Sequence, residues 1–346
     1  MGIHEQYMAR CIELALKGAG HVAPNPMVGA VLVYQNTIIG EGFHAAFGGP
    51  HAEVNCFNSV EEANRSFIKE STLYVSLEPC AHFGKTPPCA NLIIQYGVKQ
   101  LVIGCRDPFD AVNGKGIQLV EGAGIEVIEG ILAAECKELN KRFFNFHLKK
   151  QPYIILKWAQ SANGKIAGTN RERVFISNEL SNVLVHRWRS EEAAILVGTN
   201  TALNDNPSLN TRLWLGKSPL RLVLDTSLRL PNDLKIFTDD EPVTVFNYRK
   251  TATHNQVQYV QIHSNESIVK QIIAHCYANQ IQSILVEGGA RLLQSFIEEG
   301  YWNEARVITN EALTIEEGLD APKLPLVIPI KEETLGGDQI QYFYNR

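Results

Sequence analysis

The sequence lacks the features of membrane and exported proteins. No stretch reaches the roughly 18 to 20 consecutive apolar residues that a transmembrane helix needs. The first 20 residues carry acidic side chains and lack the basic-then-apolar order of a signal peptide. Seven cysteines are an odd number in a chain of this length, which favours reduced thiols over a disulfide framework. We therefore expect a cytoplasmic protein with no membrane partner.

Positive charge is also scarce. The 346 residues include 32 Lys and Arg against 37 Asp and Glu, which gives a formal net charge of −5. Nonspecific binding to nucleic acid needs clustered cations that displace condensed counterions. The composition thus argues against a nucleic-acid partner, but it permits a small anionic substrate held by a few local cations.

The pattern of apolar residues predicts two α/β domains. The chain is long enough for two separate cores, and predicted strands and helices alternate in both halves. The polar stretch HLKKQPY separates the halves, so we place the domains at residues 1–147 and 152–346. The second domain begins with the apolar segment PYIILKWAQS, and its sheet should be mostly parallel and covered by helices.

Two helices in the first domain carry specific expectations. The segment from Ile131 to Phe144 is predicted as one helix. The N-terminal segment is predicted as an amphipathic helix because apolar residues recur with helical spacing. The residues expected on its apolar face are Met8, Cys11, Ile12, Ala15 and Leu16.

A group of potential metal ligands lies between residues 51 and 89 of the first domain. His51 precedes Glu53 by two residues, and Cys80 and Cys89 come later. One imidazole and two thiolates can hold Zn²⁺ and leave a fourth position for water, as catalytic zinc sites do. The metal lowers the pKa of that water to about 7. Glu53 is close enough to move protons without being a ligand, so the pattern predicts a zinc-dependent deaminase.

The spacing of the cysteines departs from the common deaminase motif H-x-E followed by P-C-x-x-C. Eight residues, not two, separate Cys80 from Cys89. One alternative is a zinc-free pair of buried cysteines with an incidental His-Ala-Glu. Another is a closed structural site with His82 as the fourth ligand, although Glu53 would then have no metal-bound water to act on.

The long insertion makes the first domain resemble a known family. The stretches EPCAHFGKTPPCANLI, APNPMVGAV and GFHAAFGGPHAE resemble the bifunctional riboflavin-biosynthesis deaminase–reductases, and the similarity extends over roughly residues 4–346. The resemblance implies an N-terminal cytidine-deaminase-like α/β/α sandwich and a following dihydrofolate-reductase-like α/β domain. It also implies removal of the 2-amino group of 2,5-diamino-6-ribosylamino-4(3H)-pyrimidinone 5′-phosphate.

The same resemblance assigns roles to residues of the first domain. It implies that His51, Cys80 and Cys89 bind zinc and that Glu53 donates the proton. It further implies that Asn25, His44 and Lys85 surround the substrate. An ammonium in the loop between the cysteines can meet a phosphate. Lys85 could equally be a solvated loop lysine, Asn25 a turn residue and His44 a structural histidine.

The second domain contains a weak signal for anion binding. The apolar segment SILVEGG is followed by the predicted helix ARLLQSF. Glycines at a helix N-terminus expose backbone amides that bind anions, although an ordinary strand-to-helix turn gives the same pattern. The fingerprint G-x-G-x-x-G is absent.

The family resemblance assigns more to this domain. The segments LKWAQSANGKIA, VGTNTALNDNPSLNTR and VEGGARLLQSF are similar to the reductase domain, which implies NADPH-dependent reduction of 5-amino-6-(5-phosphoribosylamino)uracil to the ribityl product. The implied cofactor positions are Ala159, Phe175, Thr201, Asp205, Gly289, Ala290, Arg291, Leu292, Leu293, Gln294 and Ser295. The implied substrate positions are Arg173, Arg189, Leu209, Arg212 and Glu287.

These assignments have open alternatives. Arg173 and Phe175 stand where the family more often has a small polar residue and a Trp. Arg189 and Arg212 suit a sugar phosphate, which guanidinium binds bidentately, but both could be surface ion-pair partners. Residues 313–330 carry no recognisable chemistry.

Two other functions share part of the pattern. A nucleoside or RNA deaminase with a non-catalytic C-terminal domain would have the same zinc ligands. An RNA deaminase, however, needs a basic, aromatic-rich surface, and a free nucleoside gives Lys85 no phosphate to bind. A binding protein with a structural zinc would have no use for Glu53. The family resemblance also implies a homo-oligomer that acts on a phosphorylated small-molecule pyrimidine.

Overall fold

The computed structural model describes residues 2–81, 88–109, 112–169 and 174–345. The chain forms two compact units, Met1–Lys150 and Gln151–Arg346. Within the described ranges, no helix combines the length and the apolarity that crossing a bilayer requires.

The first unit contains one five-stranded sheet. Its elements in chain order are α1 (Ile3–Leu16), β1 (Gly29–Tyr34), β2 (Thr37–Phe43), α2 (Ala52–Asn58), a 3-10 helix (Glu62–Glu70), β3 (Thr72–Leu77), α3 (Cys89–Tyr96), β4 (Gln100–Cys105), α4 (Lys115–Gly122), β5 (Glu126–Glu129), α5 (Ala133–Leu139) and α6 (Lys141–Lys149). The strands lie in the order β2-β1-β3-β4-β5. Strand β1 is antiparallel to β2 and β3, while β3, β4 and β5 are parallel.

Alternate residues of the strands pack against opposite helical layers. In β1, Ala30 and Leu32 contact the layer formed by α2, α3 and α4. Val31 and Val33 contact the layer that contains α1 and α5. Because strand side chains alternate between the two faces, both faces of this sheet are buried. The predicted cytidine-deaminase-like α/β/α sandwich is confirmed.

Two expectations for the helices of this unit were wrong in detail. Leu16 is 53% exposed, whereas Leu14 is buried together with Met8, Cys11 and Ala15. The buried face of α1 is therefore centred between Cys11 and Ala15, and Leu16 lies about 100° beyond it. The single helix predicted from residue 131 to 144 is two helices, α5 and α6. They are divided at Asn140, where φ is −108° and ψ is 26°, and its side chain bonds to both the backbone N–H and C=O of Met27 at 2.8 Å.

The second unit contains a ten-stranded sheet. Its elements in chain order are β6 (Tyr153–Ser161), β7 (Lys165–Gly168), α7 (Glu179–Glu191), β8 (Ala194–Gly198), α8 (Thr199–Asp205), β9 (Leu220–Leu224), β10 (Val243–Asn247), β11 (Ala252–His254), β12 (Val257–Gln261), α9 (Ile268–Ala278), β13 (Ser283–Gly288), α10 (Ala290–Glu298), β14 (Glu304–Asn310), β15 (Gly318–Asp320), β16 (Lys331–Leu335) and β17 (Asp338–Tyr344). The order across the sheet is β11-β12-β10-β9-β8-β13-β6-β14-β17-β16. Strands β7 and β15 form a separate pair.

The centre of the large sheet is parallel and its edges are not. The seven strands from β12 to β14 in the spatial order are mutually parallel. Strand β11 at one edge, and β17 and β16 at the other, are antiparallel to their neighbours. The dihydrofolate-reductase-like fold is confirmed. The carboxyl ends of β6, β13, β8, β9 and β10 meet at one edge of the sheet, where ligands bind in open parallel sheets.

Helices cover both faces of this sheet. Helices α9 and α10 pack on the face that carries Ile154, Leu196 and Val286. On the opposite face, α8 packs near Val197 and α7 packs near Leu285. The alternation of buried side chains along each strand therefore fixes which residues can point towards a ligand at the carboxyl edge.

Candidate active sites

The predicted zinc ligands come together in the first unit. His51 directly precedes α2, Cys80 follows β3, and Cys89 is the first residue of α3. The Nδ1 atom of His51 lies 3.6 Å from Sγ of Cys80 and 3.3 Å from Sγ of Cys89. The three ligand atoms all lie within 4.8 Å of one another. Residues from three separate elements thus converge with the spacing that a single metal ion requires.

The surroundings favour a thiolate at Cys80. The backbone N–H of Cys89 donates to Sγ of Cys80 at 3.3 Å, and this N–H lies at the start of α3, where the helix dipole favours negative charge. Hydrogen bonds from Cys89 and His51 lower the pKa of the Cys80 thiol. Thiolate is the form that binds metal. An imidazole and two thiolates are a suitable donor set for catalytic zinc, so these residues fit the ion.

Glu53 lies beside this group without belonging to it. It is in the first turn of α2 and only 3% exposed. Burial raises the pKa of its carboxyl to about 7, with a further contribution from the charge of Cys80. A carboxyl with this pKa can both accept and donate a proton near neutral pH. Glu53 is not a member of the ligand group of His51, Cys80 and Cys89, so its carboxyl suits that task.

Asn25 and His44 lie next to the ligand group and contact each other. The His44 ring is 5.4 Å from the His51 ring in an edge-on arrangement. Its Nδ1 lies 2.9 Å from the carbonyl of Pro50, which can only accept, so Nδ1 carries the proton. The side-chain amide of Asn25 then donates to Nε2 at 3.1 Å. Burial lowers the pKa of His44. The pair is therefore a fixed, neutral polar group beside the metal ligands.

Two further residues were predicted for the same site. Lys85, expected at the substrate phosphate, and His82, the alternative fourth ligand, lie outside the described residues.

Glu78 is a residue to which the sequence analysis gave no role. Its side chain is 4% exposed and accepts from three backbone N–H groups, those of Asp107 at 3.2 Å, Gly114 at 3.0 Å and Gly116 at 3.1 Å. Gly116 approaches so closely that a Cβ there would lie 2.0 Å from the carbonyl oxygen of Pro79. Glu78 thus fixes the backbone around Cys80. In the sequence, the sign of this role was a carboxylate directly after a predicted apolar strand.

Most of the predicted reductase residues line one cavity in the second unit. Its volume is about 1750 Å³. It lies at the carboxyl edge of the parallel strands, since its walls include residues at the ends of β8, β9 and β13. The predicted residues in its wall are Ala159, Phe175, Arg189, Thr201, Asp205, Leu209, Arg212, Glu287, Gly289, Ala290, Arg291, Leu292, Leu293 and Ser295.

Two predicted residues do not appear in that wall. The side-chain oxygen of Gln294 accepts from the backbone N–H of Lys323 at 2.9 Å, so it is engaged elsewhere. Arg173 lies outside the described residues. Conversely, Gly318 and Leu319 line the cavity, although residues 313–330 were given no chemistry.

A buried charged cluster forms part of the wall. Arg189 donates to both carboxylate oxygens of Glu287, from Nε at 2.8 Å and from Nη2 at 2.6 Å. Nζ of Lys157 lies 4.0 Å from the same carboxylate. Burial alone would raise the pKa of Glu287, but Arg189 and Lys157 outweigh it and hold the pKa at about 2. Burial lowers the pKa of Lys157. Arg189 is thus an ion-pair partner, but of a cavity carboxylate and not of a surface residue.

His186 joins this cluster from the same helix as Arg189. It is 3% exposed, and its Nδ1 accepts from the backbone N–H of Arg212 at 3.2 Å, so a proton on the neutral ring is on Nε2. Burial and the charges of Arg189 and Arg212 lower the pKa of His186 to about 4. His186 therefore stays neutral at physiological pH and fixes the backbone that carries Arg212.

The strand-to-helix turn at Gly288 and Gly289 opens onto the cavity. Gly288 has φ of +150°, a conformation that side chains disfavour, and a Cβ there would lie 3.1 Å from Oγ1 of Thr201. Gly289 is the N-cap of α10. Both glycines therefore leave the first amides of α10 accessible, which is the arrangement that binds phosphate groups.

Sequence reasoning missed Lys157 and His186, yet each had a signal. Lys157 is two residues before Ala159 on β6, so both point to the same face of the strand. His186 is three residues before Arg189 on α7, which places both on one side of the helix. An isolated lysine within the apolar segment PYIILKW was itself an indication of a buried functional charge.

Comparisons with known proteins found similar proteins for both units. Residues 1–105 match the family model described as the cytidine and deoxycytidylate deaminase zinc-binding region. Residues 152–313 match the RibD C-terminal domain. The riboflavin biosynthesis protein RibD of Aquifex aeolicus is 37% identical over 99% of this chain and 98% of its own length. That of Bacillus amyloliquefaciens is 38% identical over 87% of this chain and 83% of its own.

A solved structure extends the similarity to the fold. The diaminohydroxyphosphoribosylaminopyrimidine deaminase/5-amino-6-(5-phosphoribosylamino)uracil reductase of Thermotoga maritima superposes with a TM-score of 0.91 at 36% identity, covering 99% of both chains. An Acinetobacter baumannii RibD structure gives a TM-score of 0.90 at 30% identity, again over 99% of both chains.

Proposed function

The chain belongs to the RibD family of riboflavin-biosynthesis deaminase–reductases, and from that premise we propose how its residues divide the two reactions. It is a zinc-dependent deaminase and an NADPH-dependent reductase. The substrate of the first reaction is 2,5-diamino-6-ribosylamino-4(3H)-pyrimidinone 5′-phosphate, which loses its 2-amino group as ammonia. The product, 5-amino-6-(5-phosphoribosylamino)uracil, is the substrate of the second.

The deamination takes place in the unit Met1–Lys150. His51, Cys80 and Cys89 hold the zinc ion, whose Lewis acidity makes water a nucleophile at neutral pH. Glu53 accepts the proton of that water and passes it to a ring nitrogen, and then a proton to the departing amine. The support for this role is its buried position next to the ligand group.

Other side chains bind and orient the pyrimidine. Asn25 donates to neutral His44, so the amide keeps its carbonyl oxygen for the substrate. Lys85 lies between the two cysteine ligands in the sequence, and we assign its ammonium to the 5′-phosphate.

The reduction takes place in the unit Gln151–Arg346. NADPH bound in the cavity would supply the hydride for C1 of the ribose; the bond from C1 to the ring oxygen has to break, and that oxygen needs a proton from the protein. The ammonium of Lys157 is the donor we assign, because burial lowers its pKa and so eases the release of a proton. Glu287 holds Arg189 through two hydrogen bonds and lies 4.0 Å from Nζ of Lys157, so its charge favours both cations at this place.

Phosphate groups are held at two other places in the cavity wall. Arg212 is exposed enough to meet the sugar phosphate, and its guanidinium hydrogen-bonds to the side chain of Asn210 at 3.2 Å. The amides after Gly288 and Gly289 suit the diphosphate of NADPH. Phe175, 75% exposed at the cavity, provides an apolar surface for a ring of the cofactor.

The family relationship also supports proposals about partners and location. We place the enzyme in the cytoplasm as a homo-oligomer acting on a phosphorylated pyrimidine, with no nucleic-acid partner. The seven cysteines are all free, which suits a reducing compartment.

The observation that carries the proposal is the convergence of His51, Cys80 and Cys89 beside buried Glu53. The test supplies the full-length protein with the diaminopyrimidine phosphate and records ammonia release and NADPH oxidation. A chelator should abolish ammonia release. It should spare NADPH oxidation when the deaminated uracil is supplied directly. Deamination that survives complete removal of zinc would contradict the proposal.

A further inference from the structure

Helix α7 contributes a row of three polar side chains to the wall of the reductase cavity. Asn182, His186 and Arg189 all line the cavity, and their spacing of four and then three residues places them on one face of the helix. His186 accepts from the backbone N–H of Arg212, and Arg189 is bound to Glu287. Asn182 is the member of this row whose side chain has no role in the account so far.

The side-chain amide of Asn182 is oriented by Ser177, which also lines the cavity. Nδ2 of Asn182 donates to the backbone carbonyl of Ser177 at 3.5 Å, and Oδ1 accepts from the Ser177 hydroxyl at 3.4 Å. Because a carbonyl can only accept, the nitrogen and not the oxygen lies on that side. Among the residues that the structure describes, the amide has no other hydrogen-bond partner. It therefore offers a ligand one N–H and one oxygen lone pair in a fixed arrangement.

Asn182 and Arg212 lie at opposite sides of the cavity. Helix α7 begins near the end of β14, since the side chain of Asn310 in that strand donates to the carbonyl of Ile176 at 2.7 Å. Arg212 is on the other side, because Leu209, three residues before it, packs with residues of β8. Strands β8, β13, β6 and β14 are consecutive in the sheet. The two side chains are thus separated by three strand spacings, or about 14 Å.

The proposed positions of the phosphate and the sugar determine where the pyrimidine ring lies. Arg212 binds the phosphate beside β8, while Lys157 on β6 and Glu287 on β13 mark the place of the ribose. Phosphate, ribose and base follow one another in a nucleotide. A substrate with its phosphate at β8 and its ribose at β6 therefore carries its base towards β14, where Ser177 and Asn182 line the cavity.

Deamination reverses the hydrogen-bonding pattern of one edge of that ring. In the diaminopyrimidine, N1 is an acceptor and the 2-amino group is a donor. In the uracil, N1 carries a proton and C2 carries a carbonyl oxygen. The N3–H group and the C4 carbonyl are the same in both rings. A residue that distinguishes the two pyrimidines must therefore contact the edge formed by N1 and C2.

We propose that Asn182 contacts this edge and makes the reductase select the deaminated ring, with its N–H donating to the C2 carbonyl and its Oδ1 accepting from N1–H. The inference rests on the proposed reductase function and adds a residue that determines its specificity for the pyrimidine. On the undeaminated ring, donor would face donor and acceptor would face acceptor. Ser177 keeps the amide from turning over, so these groups would lose their partners. Such a mismatch corresponds to about a 10- to 100-fold difference in affinity.

The test uses the full-length protein with Glu53→Gln as the reference, because this variant should not deaminate the diaminopyrimidine phosphate. Formation of the ribityl product from the uracil phosphate and NADPH is followed by chromatography, which reports on the reductase site alone. The undeaminated pyrimidine phosphate is added as a competitor, and its Ki is compared with the KM of the uracil phosphate.

Replacing Asn182 should change these two constants differently. Asn182→Leu should raise the KM of the uracil phosphate about 10- to 100-fold, with a smaller effect on kcat, and should change the Ki of the diaminopyrimidine phosphate by less than about threefold. Asn182→Asp has only acceptors, which suit the 2-amino group. It should therefore raise the KM of the uracil phosphate and lower the Ki of the competitor.

Val183, the next residue of α7, provides the control because it is not part of the described cavity wall. Val183→Ala should leave both constants at the reference values. An unchanged Kd for NADPH in every variant, measured by calorimetry, shows that the second unit is folded. The inference is overturned, and the proposed function stands, if Asn182→Leu weakens both pyrimidines equally, if it lowers only kcat, or if the reference binds both pyrimidines equally well. If the reference does not reduce the uracil phosphate at all, the proposed reductase function fails together with the inference.

Discussion

Replacing Glu287 with alanine should destabilise the second unit far more than an ordinary surface substitution. The carboxylate accepts two hydrogen bonds from Arg189, at 2.8 and 2.6 Å, and the two side chains are only 6% and 12% exposed. Removing one partner of such a pair leaves a buried charge without compensation, which costs about 3 to 5 kcal/mol. In a unit of this size that loss lowers Tm by roughly 6 to 20 °C.

An exposed ion pair on α7, the helix that also carries Arg189, provides a matched control. Arg187 pairs with Glu191 at 2.9 Å, but these side chains are 53% and 29% exposed. Exposed pairs of this kind contribute about 0.2 to 1 kcal/mol, since water screens them. Glu191→Ala should therefore lower Tm by no more than a few degrees, or about 4 °C at most. Glu287→Gln, which keeps one acceptor oxygen, should fall between the two alanine variants.

Tryptophan fluorescence measures this unit separately in the intact protein. The four tryptophans of the chain, at positions 158, 188, 214 and 302, all belong to the second unit. A thermal or urea transition followed by their emission therefore reports on the reductase half alone. If Glu287→Ala and Glu191→Ala shift that transition equally, the buried cluster is not stabilised as described.

The same variants should differ in their response to acid. Arg189 and Lys157 hold the pKa of Glu287 at about 2, below the ordinary value of 4.5, despite the opposing effect of burial. A depressed carboxyl pKa stabilises the fold above pH 4.5, and this contribution is lost as the pH falls towards 2. The stability difference between wild type and Glu287→Ala should therefore narrow below about pH 4.5.

Three further predictions concern individual groups. Glu53→Gln should keep its zinc and lose deamination by about 10²- to 10⁴-fold because the proton carrier is removed; loss of the metal, measured by atomic absorption, would make Glu53 a ligand. Lys85→Ala should reduce kcat/KM for the phosphorylated substrate more than for its dephosphorylated analogue; equal losses would place Lys85 away from the phosphate. A fragment of residues 148–346 should oxidise NADPH with the deaminated substrate in the absence of zinc, and Arg212→Ala within it should mainly raise KM; a folded but inert fragment would mean that the site borrows residues from elsewhere.

The sheets of both units could be predicted because their strands are short apolar runs between turn residues. Strands β1 and β2, for example, are short and pair around a tight turn at Gln35 and Asn36. The parallel centre of the second sheet followed from the alternation of strands and helices. The antiparallel strands at its edges did not, because β16 and β17 are half-exposed and lack a continuous apolar run.

The zinc ligands could be predicted from the spacing of their residues in the sequence. The contacts that support them could not. Glu78 bonds to backbone groups up to 38 residues away, and Asn140 bonds to Met27 across 113 residues. Contacts of this kind depend on how distant segments meet, so no local pattern encodes them. The helix break at Asn140 is a direct consequence, since a local pattern of apolar residues continues through it.

The buried charged cluster in the cavity wall of the second unit is another case in which contacts between distant residues could not be predicted. Arg189 and Glu287 were both predicted as substrate residues, but their pairing across 98 residues was not. Lys157 and His186 were overlooked although their spacing to Ala159 and Arg189 was a signal, and their burial beside Glu287 and Arg212 became visible only in the fold.

The most direct test of two successive reactions on one chain is a mass spectrum of the products. The full-length protein is incubated with the diaminopyrimidine phosphate, with and without NADPH. Without NADPH, the product should have one NH replaced by one oxygen, as deamination requires. With NADPH, it should gain two further hydrogens at the sugar. A product that never gains those hydrogens would leave the chain a deaminase alone, and an unchanged substrate in both samples would contradict the account entirely.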